Sequence, residues 1–230
     1  MRYRHELKFI CSDQRLFLLE NKIKNLCRSD SYAGQKGNYV VRSLYFDTCY
    51  DKCLMEGQAG TDNRRKYRIR IYNGNDEVIK LECKRSFRGM KAKEACRITR
   101  TQCESLMHGA PIGDTEADQE LLRRFLCEKS MEFLEPKVIV EYVRAPYVYA
   151  FGNVRITFDR NIGSSVEVER FLEKDILRKG ILPPGEQLLE VKYDEILPGT
   201  ILEILAGGQQ LSRTSFSKYV LCRQYGIKYV

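Results

Sequence analysis

Hydrophobic and polar positions alternate with period two over much of this chain, the signature of strands with two chemically different faces. In KYRIRIYN, residues 66–73, Lys66, Arg68, Arg70 and Tyr72 share one face, and Tyr67, Ile69 and Ile71 the other. The same parity sets Arg2, Arg4, Glu6 and Lys8 against Tyr3, Leu7 and Phe9, and Lys80, Glu82 and Lys84 against Ile79, Leu81 and Cys83. It sets Arg155, Thr157 and Asp159 against Val154, Ile156 and Phe158, and Glu190 and Lys192 against Leu189, Val191 and Tyr193. Lys91, Lys93 and Arg97 fall together in GMKAKEACRIT, and Arg144 ends the strand-like EYVR. Strands are expected over 2–10, 39–47, 65–73, 77–85, 89–99, 136–145, 153–159, 165–171 and 187–194, with hairpin turns at NGND (73–76) and RSFRGM (85–90).

Helical periodicity is rarer. Residues 13–27 place Leu16, Leu19, Ile23 and Leu26 on one stripe behind Ser12 as cap. TQCE (101–104) and TILE (200–203) have the spacing of capping boxes, with stops expected at Gly109 and Pro111 and at Gly207 and Gly208. Further helices are expected over 116–130, carrying Leu121, Leu122, Phe125 and Leu126, and over 215–225, closed by Gly226. The Gly- and Pro-bearing stretches 108–118 and 179–187 are too short for linkers, so residues 1–230 are expected to form one α+β domain dominated by antiparallel strands.

The orientation of the charged faces decides the chemistry, and parity alone leaves it open. An antiparallel sheet ordinarily turns its polar face to water. Two features favour the opposite. Four or five amphipathic helices need an apolar surface to cover, and the polar faces repeat Arg and Lys with one glutamate on each of three strands, Glu6, Glu82 and Glu190. Like charges ~8 Å apart repel by roughly 2 kcal/mol at an effective dielectric of about 20. A lumen lined in this way therefore calls for anions. A phosphate chain accompanied by a divalent cation meets that need, with Arg gripping phosphate oxygens and carboxylates holding the cation.

The bulk composition is consistent with this. The net charge is +8 with a pI near 9.0, which favours an anionic partner. No run approaches the length of a transmembrane helix, and the N-terminal MRYRHELKFICSDQ lacks the apolar segment of a secretion signal, so a cytoplasmic location is expected. The nine cysteines include no C-x-x-C pair and there are two histidines, which argues against zinc and for reduced thiols. The 14 tyrosines allow a competing reading in which Tyr72, Tyr142 and Tyr193 stack single-stranded nucleic acid.

Taken in order, RHELKF, SLYFDT, YRIRIY, LECKRS, GMKAKEACR, EYVRAPY, VRITFD, LLEVKYD and SFSKY resemble the triphosphate tunnel metalloenzymes, or CYTH superfamily, and most closely the VTC-domain polyphosphate polymerases. The resemblance spans nearly the whole chain. It implies an eight-stranded antiparallel β-tunnel with helices packed outside, and transfer of the γ-phosphoryl of ATP to a growing inorganic polyphosphate chain. It carries phosphate chemistry onto Arg68, Arg70, Lys84, Arg144 and Arg155, substrate binding onto Arg4, Lys8, Lys91, Lys93, Lys192 and Lys218, and Mn²⁺ or Mg²⁺ onto Glu190, Glu82 and Glu6. Arg4 stands where the hydrolase branch of the superfamily has the first of two glutamates. That departure weakens a thiamine triphosphatase, adenylate cyclase or RNA triphosphatase reading and favours the polymerase branch; the alternatives are an inorganic triphosphatase or nucleoside triphosphatase on the same scaffold, or a non-catalytic polyphosphate- or nucleic-acid-binding module. ATP and polyphosphate are the implied partners, and nucleic acid is not.

Overall fold

The alternating segments form long strands because their turns are built for tight hairpins. The computed structural model describes residues 3–113, 119–207 and 211–227. In chain order the elements are β1 (His5–Ser12), α1 (Asp13–Leu26), β2 (Arg28–Ser29), β3 (Tyr39–Asp47), α2 (Lys52–Gln58), β4 (Arg64–Tyr72), β5 (Asn75–Phe87) and β6 (Met90–Ile98). They continue as α3 (Arg100–His108), α4 (Glu120–Glu132), β7 (Glu135–Tyr149), β8 (Val154–Ser165), β9 (Lys179–Gly180), β10 (Glu186–Tyr193), α5 (Gly199–Ala206) and α6 (Lys218–Ile227). The β4–β5 turn has φ 55° at Asn73 and 64° at Gly74, and the β5–β6 turn has 48° at Arg88 and 75° at Gly89. Two successive positive φ values match the right-handed twist of the flanking strands.

The strands pair antiparallel in the order β1-β10-β8-β7-β3-β4-β5-β6, with β2 added to β7 and β9 to β8. The end strands meet at a single bridge, where Arg4 and Lys91 exchange two backbone hydrogen bonds of 2.9 Å. The sheet therefore curls into a tunnel without a continuous closing ladder.

The apolar faces point outward and carry helices. Ile69, Ile71 and Leu81 pack under Leu106 of α3 and Leu122 and Phe125 of α4. Ile156, Phe158, Leu189 and Val191 pack under Leu16, Leu19 and Ile23 of α1 and Ile201 and Leu205 of α5. The helix α6 differs: Tyr219, Val220 and Cys222 pack on Val41, Val138, Val140 and Leu188, which belong to the lumen faces of their strands. These apolar residues replace charge along one side of the lumen, where α6 packs between the two ends of the tunnel.

Several local expectations shift for identifiable reasons. Ser12 caps α1 as expected, accepting the Arg15 N–H at 3.2 Å. The capping box of α3 sits two residues earlier than TQCE, with Thr99 and Gln102 reciprocating. TILE caps nothing, because α5 starts after Pro198, whose carbonyl accepts the first helical N–H groups. Of the strand expected over 165–171 only Ser165 is extended, as the end of β8. Val168–Arg170 is a 3₁₀ turn, held by Arg170–Glu167 pairing at 3.1 Å and by Arg42, which donates to the carbonyls of Phe171 and Lys174 at 3.0 Å each. The helix expected from 116 begins at Glu120, with 116–118 outside the described residues, and Gly226 lies within α6. The helix α2 had no periodic signature. It forms because fully buried Asp47, at the end of β3, accepts the Cys53 and Leu54 N–H groups at 2.8 and 3.0 Å. None of the nine cysteines, all among the described residues, is joined in a disulfide.

Candidate functional site

The charged faces line the tunnel. A cavity of about 340 Å³ is walled by Arg4, Glu6, Lys8, Arg68, Arg70, Lys84, Lys91, Lys93, Arg144, Arg155, Glu190, Lys192 and Lys218, with Lys66 and Tyr39, Tyr45, Tyr72, Tyr142 and Tyr219 between them. The fold thus brings these expected site residues into one lumen. Glu82 is absent from its surface and lies behind the cations.

On the β4–β5 wall, Glu82 is fully buried and binds three cations. Arg68 reaches it through Nε at 2.8 Å and Nη2 at 2.7 Å, Lys93 at 2.8 Å, and Arg70 through Nη1 at 3.5 Å. Burial alone would push the Glu82 carboxyl up. Arg70, Arg68 and Lys93 outweigh it and hold the group well below the usual carboxylate range. Tyr45 fixes the Arg68 Nη1 at 2.8 Å, and Ser43 the Arg70 Nε at 3.1 Å. Burial pulls Lys93 down to about 8, with Glu82 opposing.

On the opposite wall, carboxylates stand among lysines. The β1–β10 register pairs Glu6 with Lys192 and Lys8 with Glu190. Glu6 is 2.7 Å from Lys8, 3.0 Å from Lys84 across the lumen and 3.7 Å from Lys192, while Glu190 pairs with Lys192. Glu190 would be raised by its burial, but Lys192, Lys218, Lys8 and Arg144 hold it well below the usual range. Glu6 is also lowered, by Lys84, Lys8 and Lys192 against burial and Glu190. Burial draws Lys84 down to about 7 in spite of Glu6. Deeper in the same wall, buried Asp159 holds Arg144 through two bonds of 2.7 Å and Lys218 at 2.7 Å, and both cations lie over the Tyr142 ring.

The remaining residues mark the ends. Arg155 pairs with Asp30 at 2.8 Å and donates to the Tyr39 hydroxyl at 3.4 Å. Arg4 pairs with Asp194 at 3.0 Å beside the closing bridge, and Lys91 donates to the Ser86 hydroxyl. Beyond Lys66, Lys84 and Lys91 the lumen adjoins a second cavity of about 450 Å³, to which Arg64, Arg85 and the 213–217 segment contribute. Sequence reasoning missed Asp159 as a site residue, although parity had placed it beside Arg155. It also missed Tyr45, whose role depends on a cross-strand neighbour.

Among the described residues no three Asp, Glu, His or Cys side chains form a cage for a metal ion. The donors present fit a different arrangement. Glu6 and Glu190 are ionised neighbours, and Thr157, paired in register with Glu190, has a buried Oγ1 with no partner. Two carboxylates and a hydroxyl suit a hard divalent ion that takes its other oxygens from substrate phosphates.

An antiparallel tunnel with a cationic lumen and helices on its apolar faces is the triphosphate tunnel fold. The sequence model of the VTC domain family matches residues 3–226, and the chain belongs to that family. Among solved structures, it is similar to the putative adenylyl cyclase HpAC1 from Hippeastrum, described as having a dominant triphosphatase activity. The TM-score is 0.59 at 16% identity, covering 98% of this chain and 96% of that one. It is also similar to the PH1819 protein from Pyrococcus horikoshii OT3, with TM-score 0.50, 14% identity and coverage of 97% and 99%. No curated protein matches it in sequence. Among the described residues no helix is long and apolar enough to cross a membrane.

Proposed function

We propose that the protein is a metal-dependent polyphosphate polymerase that transfers the γ-phosphoryl of ATP to the end of an inorganic polyphosphate chain. The observation that carries this reading is the extent of the basic lumen. The chamber ringed by Arg68, Arg70, Arg144 and Lys218 adjoins a second basic cavity through Lys66, Lys84 and Lys91, which gives a bound chain somewhere to extend.

In this reading Arg68 and Arg70 clamp the transferred phosphoryl and its neighbours, rigidly because Glu82, Tyr45 and Ser43 fix both guanidiniums. Arg144, with Nε and Nη2 held by Asp159, offers Nη1 to phosphate. Lys84 and Arg155 neutralise further phosphate charge, while Arg4, Lys8, Lys91, Lys93, Lys192 and Lys218 hold the chain. A terminal phosphate oxygen of the acceptor attacks the γ-phosphorus, and the bond to the β–γ bridging oxygen breaks. ADP leaves with that electron pair. The acceptor oxygen is already ionised near neutral pH, so no general base is required. Mn²⁺ or Mg²⁺, held by Glu190 and Glu6, would supply charge neutralisation on the phosphates. Glu82 serves by bracing the arginines.

Incubation with ATP, Mn²⁺ and a short polyphosphate primer tests the assignment, with products resolved by length. Primer elongation matched by ADP release is expected. Cleavage of ATP or tripolyphosphate to orthophosphate without elongation would replace the polymerase by an inorganic triphosphatase on the same scaffold. Of the three platforms of the nucleic-acid reading, Tyr142 is buried and the Tyr193 ring stacks on His5 at 5.0 Å, which leaves Tyr72 alone.

A further inference from the structure

The two ends of the tunnel differ in chemistry. The Lys66 and Lys84 ends of β4 and β5 lead to the basic cavity already described. Their other ends, at Tyr72 and Lys80, lead to a separate cavity of about 370 Å³, whose walls include Tyr32, Tyr39 and Tyr72. Nothing in the phosphate chemistry above requires three tyrosines here. Tyr39 and Tyr72 pack edge to face with centroids 5.7 Å apart, and the Lys80 ammonium lies 5.6 Å from the Tyr72 centroid. Tyr32 projects from a 3₁₀ turn and is 80% exposed. An isolated tyrosine that exposed has no packing role, but at the rim of an aromatic-walled cavity it is a stacking surface.

The polar groups of this cavity are also specific. The Asn73 side-chain oxygen accepts the Val40 N–H at 2.9 Å, and that of Asn75 accepts the Glu77 N–H at 2.6 Å. Those bonds fix the amide orientation and leave each NH₂ as the donor offered to a ligand. Asp30 ties Tyr32 to the tunnel: its carboxylate accepts the Tyr32 N–H at 3.1 Å and pairs with Arg155 at 2.8 Å. Arg155 and Lys93 line both this cavity and the phosphate chamber. A ligand bridging the two must carry a flat π-faced ring with hydrogen-bond acceptors at one end and phosphates at the other.

We propose that this mouth is the nucleoside subsite, binding the base of the nucleotide substrate against Tyr32 and Tyr72, with Asn73 and Asn75 as donors to its edge. The inference rests on the tunnel being a nucleoside triphosphate-using enzyme, and it gives the tunnel a direction: nucleoside at the tyrosine mouth, polyphosphate at the lysine mouth.

Calorimetric titration of the full chain with β,γ-imido-ATP and with tripolyphosphate tests it. In the unmodified protein the nucleotide should bind more tightly than tripolyphosphate. Tyr32→Ala and Tyr72→Ala should each weaken the nucleotide about tenfold, in line with loss of one stacking partner, and Tyr32→Ala, whose site lies outside the phosphate chamber, should change tripolyphosphate affinity less than twofold. Tyr72→Phe, which keeps the ring, should stay within twofold of the unmodified protein for both. Equal affinities for the two ligands, or equal losses of both in Tyr32→Ala, would overturn the subsite while leaving the tunnel reading intact. Failure of the unmodified protein to bind tripolyphosphate at all would overturn both. Tyr32 is exposed and outside the core, so its variant tests the subsite even if Tyr72→Ala folds poorly.

Discussion

The two walls of the tunnel solve the same electrostatic problem in opposite ways. On the β4–β5 wall a single carboxylate, Glu82, lies out of contact with the lumen and faces Arg68, Arg70 and Lys93 from behind. On the β1–β10 wall Glu6 and Glu190 line the lumen themselves, interleaved with Lys8 and Lys192. Burying like charges without counterions is prohibitive, so each wall needs acids. Where the acid sits decides what the wall can hold. An acid behind arginines fixes their planes and leaves a purely cationic surface for phosphate. Acids at the surface break the cationic field and leave room for a divalent ion. On the proposed function this difference makes Glu82 the brace and Glu190 the residue for the metal, and substitutions can separate the two.

The largest effect is expected at Glu82. Glu82→Gln removes the one charge that compensates three buried or half-buried cations, and loss of one partner from a buried ion network costs about 3 kcal/mol. For a chain of 230 residues that corresponds to a fall in melting temperature of roughly 6–12 °C. Thermal denaturation checks it. A melting temperature within 2 °C of the unmodified protein would show that Glu82 is not the brace, and the contrast between the walls would fall with it.

Glu190→Gln should give the converse result. Asp159 and Glu6 remain to balance Arg144, Lys218, Lys8 and Lys192, so the melting temperature should move by only a few degrees. Metal-dependent phosphoryl transfer should fall about 100-fold or more, the usual cost of removing one preorganised charged group from a transition state. Titration of initial rate against Mn²⁺ separates the roles: the half-saturating concentration should rise in Glu190→Gln and stay near its original value in Glu82→Gln. A rise in Glu82→Gln alone would reverse the assignment.

Much of this site was legible because period two is rigid. Once Ile69 and Ile71 are known to face helices, Arg68 and Arg70 must face the lumen, and the same parity carried Lys84, Arg155, Glu190 and Lys192 inward. Parity is silent on depth, so it could not tell Glu82 from Glu190, which occupy equivalent positions on their strands. It also could not place α6, whose mixed surface gave a helix but not its inward packing on Val138, Val140 and Leu188. The VEVER run at 166–170 alternates like a strand, yet its outcome was set by Arg42, more than 120 residues away in sequence, drawing down the carbonyls that follow. Non-local capture of this kind leaves no periodic trace. Asp47 behaves likewise: it caps α2 from the end of β3 and accepts the Tyr219 hydroxyl of α6, so one residue of the SLYFDT motif sets two helices.

The smallest expected effect concerns protons, and it draws on both walls. Burial lowers Lys84 to about 7, and Lys93 and Lys66 to about 8, from an ordinary value of 10.5. In the empty tunnel at pH 8 these groups are therefore partly neutral. A polyanion favours their charged forms, so the complex holds more protons than the separate partners, and binding takes protons up. By linkage, affinity must then fall as pH rises through this range. Tripolyphosphate should bind about tenfold more weakly at pH 9 than at pH 7. The Lys84 side chain is one-third open to the lumen, and solvent there limits its share of the effect. Calorimetry at pH 8 in two buffers of different ionisation enthalpy reads the uptake directly. Lys84→Arg, charged throughout, should reduce the uptake and flatten the pH dependence in proportion to the share Lys84 carries. Unchanged uptake in that variant would move the titration to Lys93 and Lys66. No uptake in the unmodified protein would mean that the tunnel keeps all its lysines charged when empty, with water and counterions screening what its walls do not.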